Sequence, residues 1–517
     1  MLPELGLGEA DAAAVVEQGD RMIAQSSRQV DADCGALLLH VSVLCLPRHV
    51  CPLGSSPISS RLLVALARCL PFAVCDEGQG IERISHGKTQ EMAAARLFTR
   101  CVDEVRMVIR QARAQRESDH SPIGFVHSRL VLLRRLLSCV PASGFSIGDA
   151  QWRKILRDAL LQTQECVTVA RGVLDDAYVC SGGMGEDEDF AEVSEECRQE
   201  EGKEGGEGGT SLMKSSQRAC WLTLKEAVLF LSELSVLELS ERVSVSECSD
   251  SQHGIMTDVD YEMVGDTILS VMFTSQHNGL VEQAAGALRA VAVALGGGHQ
   301  LLSKWLREVL SRVFDDTVAV SRKSSQVSLA LTSLLAADCR EHALCEESLS
   351  CLLTAALGEG ARDGNCTRVR ALMSMRFILL DGVSGKTAMR IHGDDMLVCI
   401  LRALQSDSWT ERNAANLALG AAVERCVGRD KTRQPRASQF FRSYPNFAHA
   451  LLTLLEGGEG SALLPALCFL ARLSAFDDTE EETLDGLEMA EHAKSKAHAR
   501  YMSMKMVQQM SPLHRHN

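Results

Sequence analysis

The run Leu397-Val398-Cys399-Ile400-Leu401-Arg402-Ala403-Leu404, then Gln405-Ser406-Asp407, then Ser408-Trp409-Thr410-Glu411-Arg412-Asn413-Ala414-Ala415 and on to Val427 decides the fold. Two stretches of strong helix formers flank a short polar turn. Ser408 and Glu411 have capping-box spacing, in which each side chain satisfies an orphan backbone donor at a helix start. Gly428 follows as a stop. A single helix pair of this size cannot dry its own apolar faces. Stacked pairs can, by sharing one continuous core.

The pair is one of a series. Val281-Glu282, Ser324-Ser325, Val369-Arg370 and Glu411-Arg412 align as second-helix starts, 43, 45 and 42 residues apart. That period falls in the range of HEAT and armadillo units, roughly 40–47 residues. Outside the aligned starts the pattern is also helical. Leu224, Val228, Leu231 and Leu234 form one apolar face, as do Tyr261, Val264, Ile268 and Val271. The expected fold is all-α, a HEAT/armadillo-like α-solenoid superhelix offering an extended surface rather than a small-molecule cleft.

Composition agrees with helices. Hydrophobic residues make up 46% of 517, aromatics only 4%, and prolines number 11. The formal net charge of −15 excludes a general nucleic-acid binder. The acidity is concentrated, however. Glu186 to Glu207 holds eleven acids against Arg198 and Lys203, and Asp477 to Glu491 holds eight with no Lys or Arg. The rest is close to neutral and has room for local basic patches.

These runs divide the chain. We expect an N-terminal helical region over 1–180 that begins the solenoid. Residues 181–218 read as an acidic Gly/Glu-rich disordered linker, because the segment buries too little apolar surface to offset its ordering entropy. Residues 219–475 carry the repeats, and 476–517 form a charged tail. Further loops are expected over 242–258 and 429–438.

Nineteen cysteines lack CxxC or Cys/His zinc spacing, so free thiols in a reducing compartment are expected. The opening Met1-Leu2-Pro3-Glu4 has no basic n-region. No apolar run is long enough for a bilayer. A soluble cytoplasmic protein without membrane contact is the expectation.

Catalytic motifs are wanting. Gly382-Val383-Ser384-Gly385-Lys386-Thr387 faintly resembles a phosphate-binding loop, but Leu380 stands where its first Gly belongs. The segment reads as an inter-helix loop. Gly296-Gly297-Gly298-His299 reads as a helix stop with a flexible joint. His392-Gly393-Asp394-Asp395 reads as solvated loop residues rather than metal ligands. No HExxH or nucleotide-binding Gly-rich signature is present. We therefore assign no catalytic, metal or cofactor-binding residue.

Candidate contacts are few. Arg322-Lys323-Ser324 opens a helix, where two cations oppose the macrodipole at small cost. They are either a solvated pair or a phosphate or partner contact. Lys431, Arg433 and Arg436 form a second basic group around Pro435. Trp409 is expected to pack between repeats rather than stack on a base. Arg412 and Asn413 are expected to bond to the neighbouring turn.

Four pieces together resemble the thyroid-adenoma-associated protein family. They are Ser406 to Ala415 with its Trp409, Arg412 and Asn413; Phe440-Phe441-Arg442-Ser443-Tyr444-Pro445; Cys220-Trp221-Leu222-Thr223-Leu224-Lys225-Glu226; and Ser321-Arg322-Lys323-Ser324. Their order and approximate spacing agree with the family's. The resemblance covers roughly residues 120–475. It implies a HEAT/armadillo-like solenoid that is no enzyme itself. It implies a scaffold for an FtsJ-like 2′-O-methyltransferase acting on the ribose of the first anticodon-loop nucleotide of certain tRNAs. Partner enzyme and tRNA are the implied partners, with S-adenosylmethionine bound by the enzyme. The family's Arg-Arg-Ser-Ala-Gly-Leu-Pro is altered here: Ser325, Gln326, Val327 and Ser328 replace its last four residues. The other reading is an armadillo-type protein–protein adaptor with no RNA role.

Overall fold

A computed structural model describes residues 86–114, 126–138, 150–180, 208–246, 255–275, 277–315, 325–338, 342–358, 364–428, 435–457 and 462–473, with isolated positions elsewhere. Every regular element among them is a helix. The chain divides into two compact units, Met1–Ala294 and Leu295–Asn517.

The first unit contains α1 (His86–Ala114), α2 (Val126–Leu137), α3 (Ala150–Cys180), α4 (Gly208–Ser246), α5 (Asp258–Thr274) and α6 (Asn278–Leu295). Its core forms where α1 packs on α2 and α3, and α4 packs on the same two helices. Phe98, Trp152 and Phe230 meet there, with Phe98 edge-on to Trp152 at 6.0 Å. Glu226 of α4 is buried and would be costly unpaired. Arg134 of α2 donates to it at 2.6 Å and to Glu233 at 3.0 Å. Thr257 and Asp260 make a complete capping box at the start of α5. Arg157 of α3 then donates to Asp260 Oδ2 and to the Ile255 carbonyl.

Two expectations on organisation need correcting. The linker does not extend to residue 218, because α4 begins at Gly208 and runs unbroken through that position. The expected loop from residue 242 likewise starts late, since α4 continues to Ser246. The buried face of Cys220, Leu224, Val228, Leu231 and Leu234 anchors the helix, and its flanking turns propagate from that anchor. Packing divides the chain at Ala294/Leu295, not at 218/219. The acidic run 186–207 and the tail 476–517 lie outside the described residues.

The second unit holds α7 (Gln300–Ser311), α8 (Ser325–Leu335), α9 (Ala343–Leu357), α10 (Gly364–Leu380), α11 (Ser384–Ala403), α12 (Trp409–Val427), α13 (Ala437–Ser443), α14 (Pro445–Gly457) and α15 (Leu463–Leu470). Two layers alternate. One stacks α8 on α10 on α12, and the other stacks α7 on α9 on α11 on α14. Each helix also packs on its sequence neighbour: α7 on α8, α9 on α10, α11 on α12. Starts within the second layer are 43, 41 and 61 residues apart, the last interval lengthened by α13, and those within the first 39 and 45. This is the nearest-neighbour arrangement that the sequence period implies.

Small residues set the closeness of the α10–α12 contact. Ala414, Ala415, Ala418, Ala421 and Ala422 of α12 are buried, as are Ala371, Leu372, Met375, Ile378 and Leu379 of α10, and the two helices pack on each other. Glu411 near the start of α12 meets Arg368 near the start of α10, and Arg425 near the end of α12 meets the last carbonyls of α10. These two helices therefore run in the same direction.

Candidate functional site

Helix ends give this unit its polar chemistry. At one edge, α11 ends and α12 begins around the turn Leu404–Ser408. Ser408 occupies the N-cap position but makes no capping bond with its side chain. The capping box read from the spacing of Ser408 and Glu411 is not formed. Glu411 is only 3% exposed and instead accepts from Ser406 Oγ at 2.8 Å. Ser406 Oγ in turn accepts from the Ser408 amide at 3.2 Å. Arg412 Nη1 donates to both the Ser406 and Asp407 carbonyls at 2.8 Å. The turn is thus held from inside by one buried carboxylate and one guanidinium.

That turn presents Trp409 at 67% exposure, so the indole does not pack between repeats as expected. The reason is its register: Glu411, Ala414, Ala415 and Ala418 take the inward face of α12, and Trp409 falls opposite. Asn413 is exposed too, and its carboxamide has no partner among the described residues, whereas Arg412 bonds to the turn.

At the opposite edge, arginines clasp helix C-termini. Arg425 donates to the carbonyls of Leu379 (2.7 Å), Leu380 (3.0 Å) and Asp381 (2.6 Å), the uncompensated end of α10. Arg472 does the same to Gly428, at the end of α12, at 2.9 Å. Gly385 belongs to this clasp. A Cβ there would lie 2.6 Å from the Leu379 carbonyl and 2.8 Å from Arg425 Nε. The Gly-Lys-Thr run that faintly resembles a phosphate loop thus owes its glycine to packing. Arg370 plays a related part at the first edge, bonding the Arg312 and Asp315 carbonyls. The sequence reading missed these arginines. The available signal was that Arg425 and Arg472 sit 47 residues apart, close to one period.

The His392–Asp395 segment is not a loop. It lies within α11, which kinks at His392 (φ −128°, ψ 20°). Asp394 caps α14, accepting from the Asn446 amide at 3.0 Å and the Phe447 amide at 2.8 Å. Pro445 opens that helix, where its missing N–H costs nothing. Phe440, Phe441 and Tyr444 join Phe447 and Phe469 in one aromatic cluster, with Phe440 4.8 Å from Tyr444 and 5.3 Å from Phe469. Burial pushes the Tyr444 hydroxyl up to about 12, helped by the neighbouring Cys426. Burial likewise raises the Cys426 thiol to about 12, against a hydrogen bond with Tyr444. Both stay neutral near pH 7, as core groups do. The family-like aromatic motif is a structural lock on α13 and α14.

Of the basic candidates, Arg322, Lys323, Ser324, Lys431 and Arg433 lie outside the described residues. Arg436 is exposed and occupies the N-cap position of α13. Ser325, directly after the first group, opens α8, and Gly428, just before the second, closes α12. Among the described residues no group of three metal-ligating side chains comes together. No described helix is long and apolar enough to cross a membrane.

The two-layered stack of helix pairs, with its polar chemistry at helix ends, defines a helical-repeat solenoid. Residues 154–410 match the family described as THADA/TRM732, DUF2428, and the chain belongs to that family through this domain. The tRNA (32-2'-O)-methyltransferase regulator THADA of Gallus gallus is 25% identical over 255 residues, 46% of this chain and 13% of that protein. Its Canis lupus familiaris counterpart is 22% identical over the same extent. The chain thus matches only about an eighth of the length of these relatives. The solved SYS-1/POP-1 complex aligns at 10% identity over 95% of this chain and 99% of that one, with a TM-score of 0.19, too loose to place any element.

Proposed function

We propose that this chain is a non-catalytic accessory scaffold for an FtsJ-like methyltransferase that methylates a ribose 2′-OH in the tRNA anticodon loop. The observation that carries the reading is the family match over residues 154–410, with relatives named as regulators of a tRNA (32-2'-O)-methyltransferase. Stacked helix pairs support it physically, since their product is an extended surface for large partners. On this reading the enzyme binds S-adenosylmethionine and performs the transfer in the cytoplasm. The solenoid holds the enzyme and the tRNA together, with phosphate contacts supplying a salt-dependent share of the affinity. Arg322, Lys323, Ser324, Lys431, Arg433 and Arg436 remain the proposed contacts.

The test is co-purification with the full-length chain from its own cells, followed by mapping of ribose methylation in tRNA after deletion. An FtsJ-like methyltransferase in the eluate, with anticodon-loop 2′-O-methylation lost on deletion, is the expected result. Unchanged methylation with a protein-only set of partners would overturn it in favour of the armadillo-type adaptor.

A further inference from the structure

Trp409 is unlike the other three tryptophans. Trp152 and Trp305 are fully buried, and Trp221 stacks against His277 with 4.2 Å between ring centroids. Trp409 stands 67% open on the first turn of α12. Leaving an indole in water forfeits a large hydrophobic gain. The turn beneath it is also unusually fixed: buried Glu411, Ser406 and Arg412 hold it through the bonds described above. The rigid turn, rather than a flexible loop, aims the ring outward.

The surroundings indicate what fits. Asn413 and Asn416, four and seven residues on, share the exposed face of α12 with Trp409, and neither carboxamide has a partner among the described residues. Gly420 continues this face with open space around its Cα. Its neighbours along the chain are polar, Asp407, Ser408 and Thr410, as is Asn413 one turn on, while Leu417 beyond it is 38% exposed. A protein hot spot would instead be expected to sit in a well-packed apolar patch shielded from water. Arg402 and Arg412 flank the turn, with Asp407 as its exposed acid. A flat π-face and amide groups one helical turn away, beside two arginines, match an unpaired nucleotide. Single-stranded RNA is recognised by stacking on aromatic rings and by hydrogen bonds to base edges.

Resting on the reading that the chain works on tRNA, we propose that Trp409, Asn413 and Asn416 form a platform for unpaired RNA bases. One base stacks on the indole with its edge toward Asn413, and the adjoining nucleotide meets Asn416. Arg402 and Arg412 supply the attracting field.

The experiment titrates the purified full-length chain with a short unstructured oligoribonucleotide and with intact tRNA, following indole fluorescence and affinity. Wild type should bind both with quenching. Trp409→Ala should weaken binding about ten-fold and remove most of the quenching, Trp409→Phe should retain part of the affinity, and Asn413→Ala should cost a few-fold. Circular dichroism of these surface variants should be unchanged. Equal affinity of Trp409→Ala and wild type for RNA would overturn the platform while leaving the accessory reading intact. Loss of methyltransferase co-purification in Trp409→Ala, with RNA affinity unchanged, would overturn it by making Trp409 a protein contact. No RNA binding by wild type would overturn the platform as well, and with no methyltransferase recovered the accessory reading would fall too.

Discussion

Arg425→Ala should destabilise the second unit by removing the clasp between α12 and α10. The guanidinium makes three bonds to carbonyls, two of them part-buried and one, to Leu380, at the surface. A net contribution of about 0.5–1.5 kcal/mol per part-buried bond, with a few tenths from the helix dipole, gives a loss of about 2 kcal/mol. For a unit of roughly 200 residues this corresponds to a fall in Tm of about 4–8 °C. Arg425→Lys keeps the charge but loses the planar fork, so it should recover only part of the loss. Thermal melts of the full chain followed by circular dichroism give the size. Amide hydrogen exchange gives the location, which should be the last turn of α10. Exposed Arg402, at the end of α11, is the control. If Arg425→Ala and Arg402→Ala melt together, the clasp contributes nothing and the account of repeat coupling given above is wrong.

Other outcomes follow from the same geometry. Asp394→Ala removes both capping bonds of α14 and should cost about 1 kcal/mol in urea unfolding, with Asp394→Asn milder. Gly393→Ala should destabilise more than an ordinary helix Gly→Ala, because its Cβ would lie 2.8 Å from both Met389 Cε and the Tyr444 ring; Tyr444→Leu in the same chain should relieve part of that cost. His277 has its pKa lowered by burial, and its Nδ1 accepts from the Leu280 amide, so the fold favours the neutral ring. A depressed histidine pKa means the unfolded chain takes up the proton first. Stability should be full above about pH 6.5 and fall as the pH drops from there toward the folded-state pKa, a slope that His277→Asn should flatten in melts across pH 5–8.

Periodicity made the helices legible, because a helix that buries one stripe must repeat its apolar residues at three and four. Leu224, Val228, Leu231 and Leu234 read as one face, as do Tyr261, Val264, Ile268 and Val271, and all are buried. The 42–45-residue spacing foretold the layered pairs for the same reason, since each unit repeats the same burial problem. Composition misjudged residues 208–218 because it weighs glycine and charge locally and cannot count the packing of the helix that follows.

By itself, then, the sequence determined helical class, repeat length and the family. These depend on patterns within one or two turns or on the order of short motifs. Tertiary structure alone decided which polar groups work together. Arg425 meets Leu379 across a whole repeat, Asp394 reaches α14 from α11, and Glu411 turns inward to Ser406 rather than completing a capping box with Ser408. It also decided that Trp409 faces water. Register within a stack is fixed by the joint packing of neighbouring helices, and a single helix carries no record of which of its residues the next one will cover.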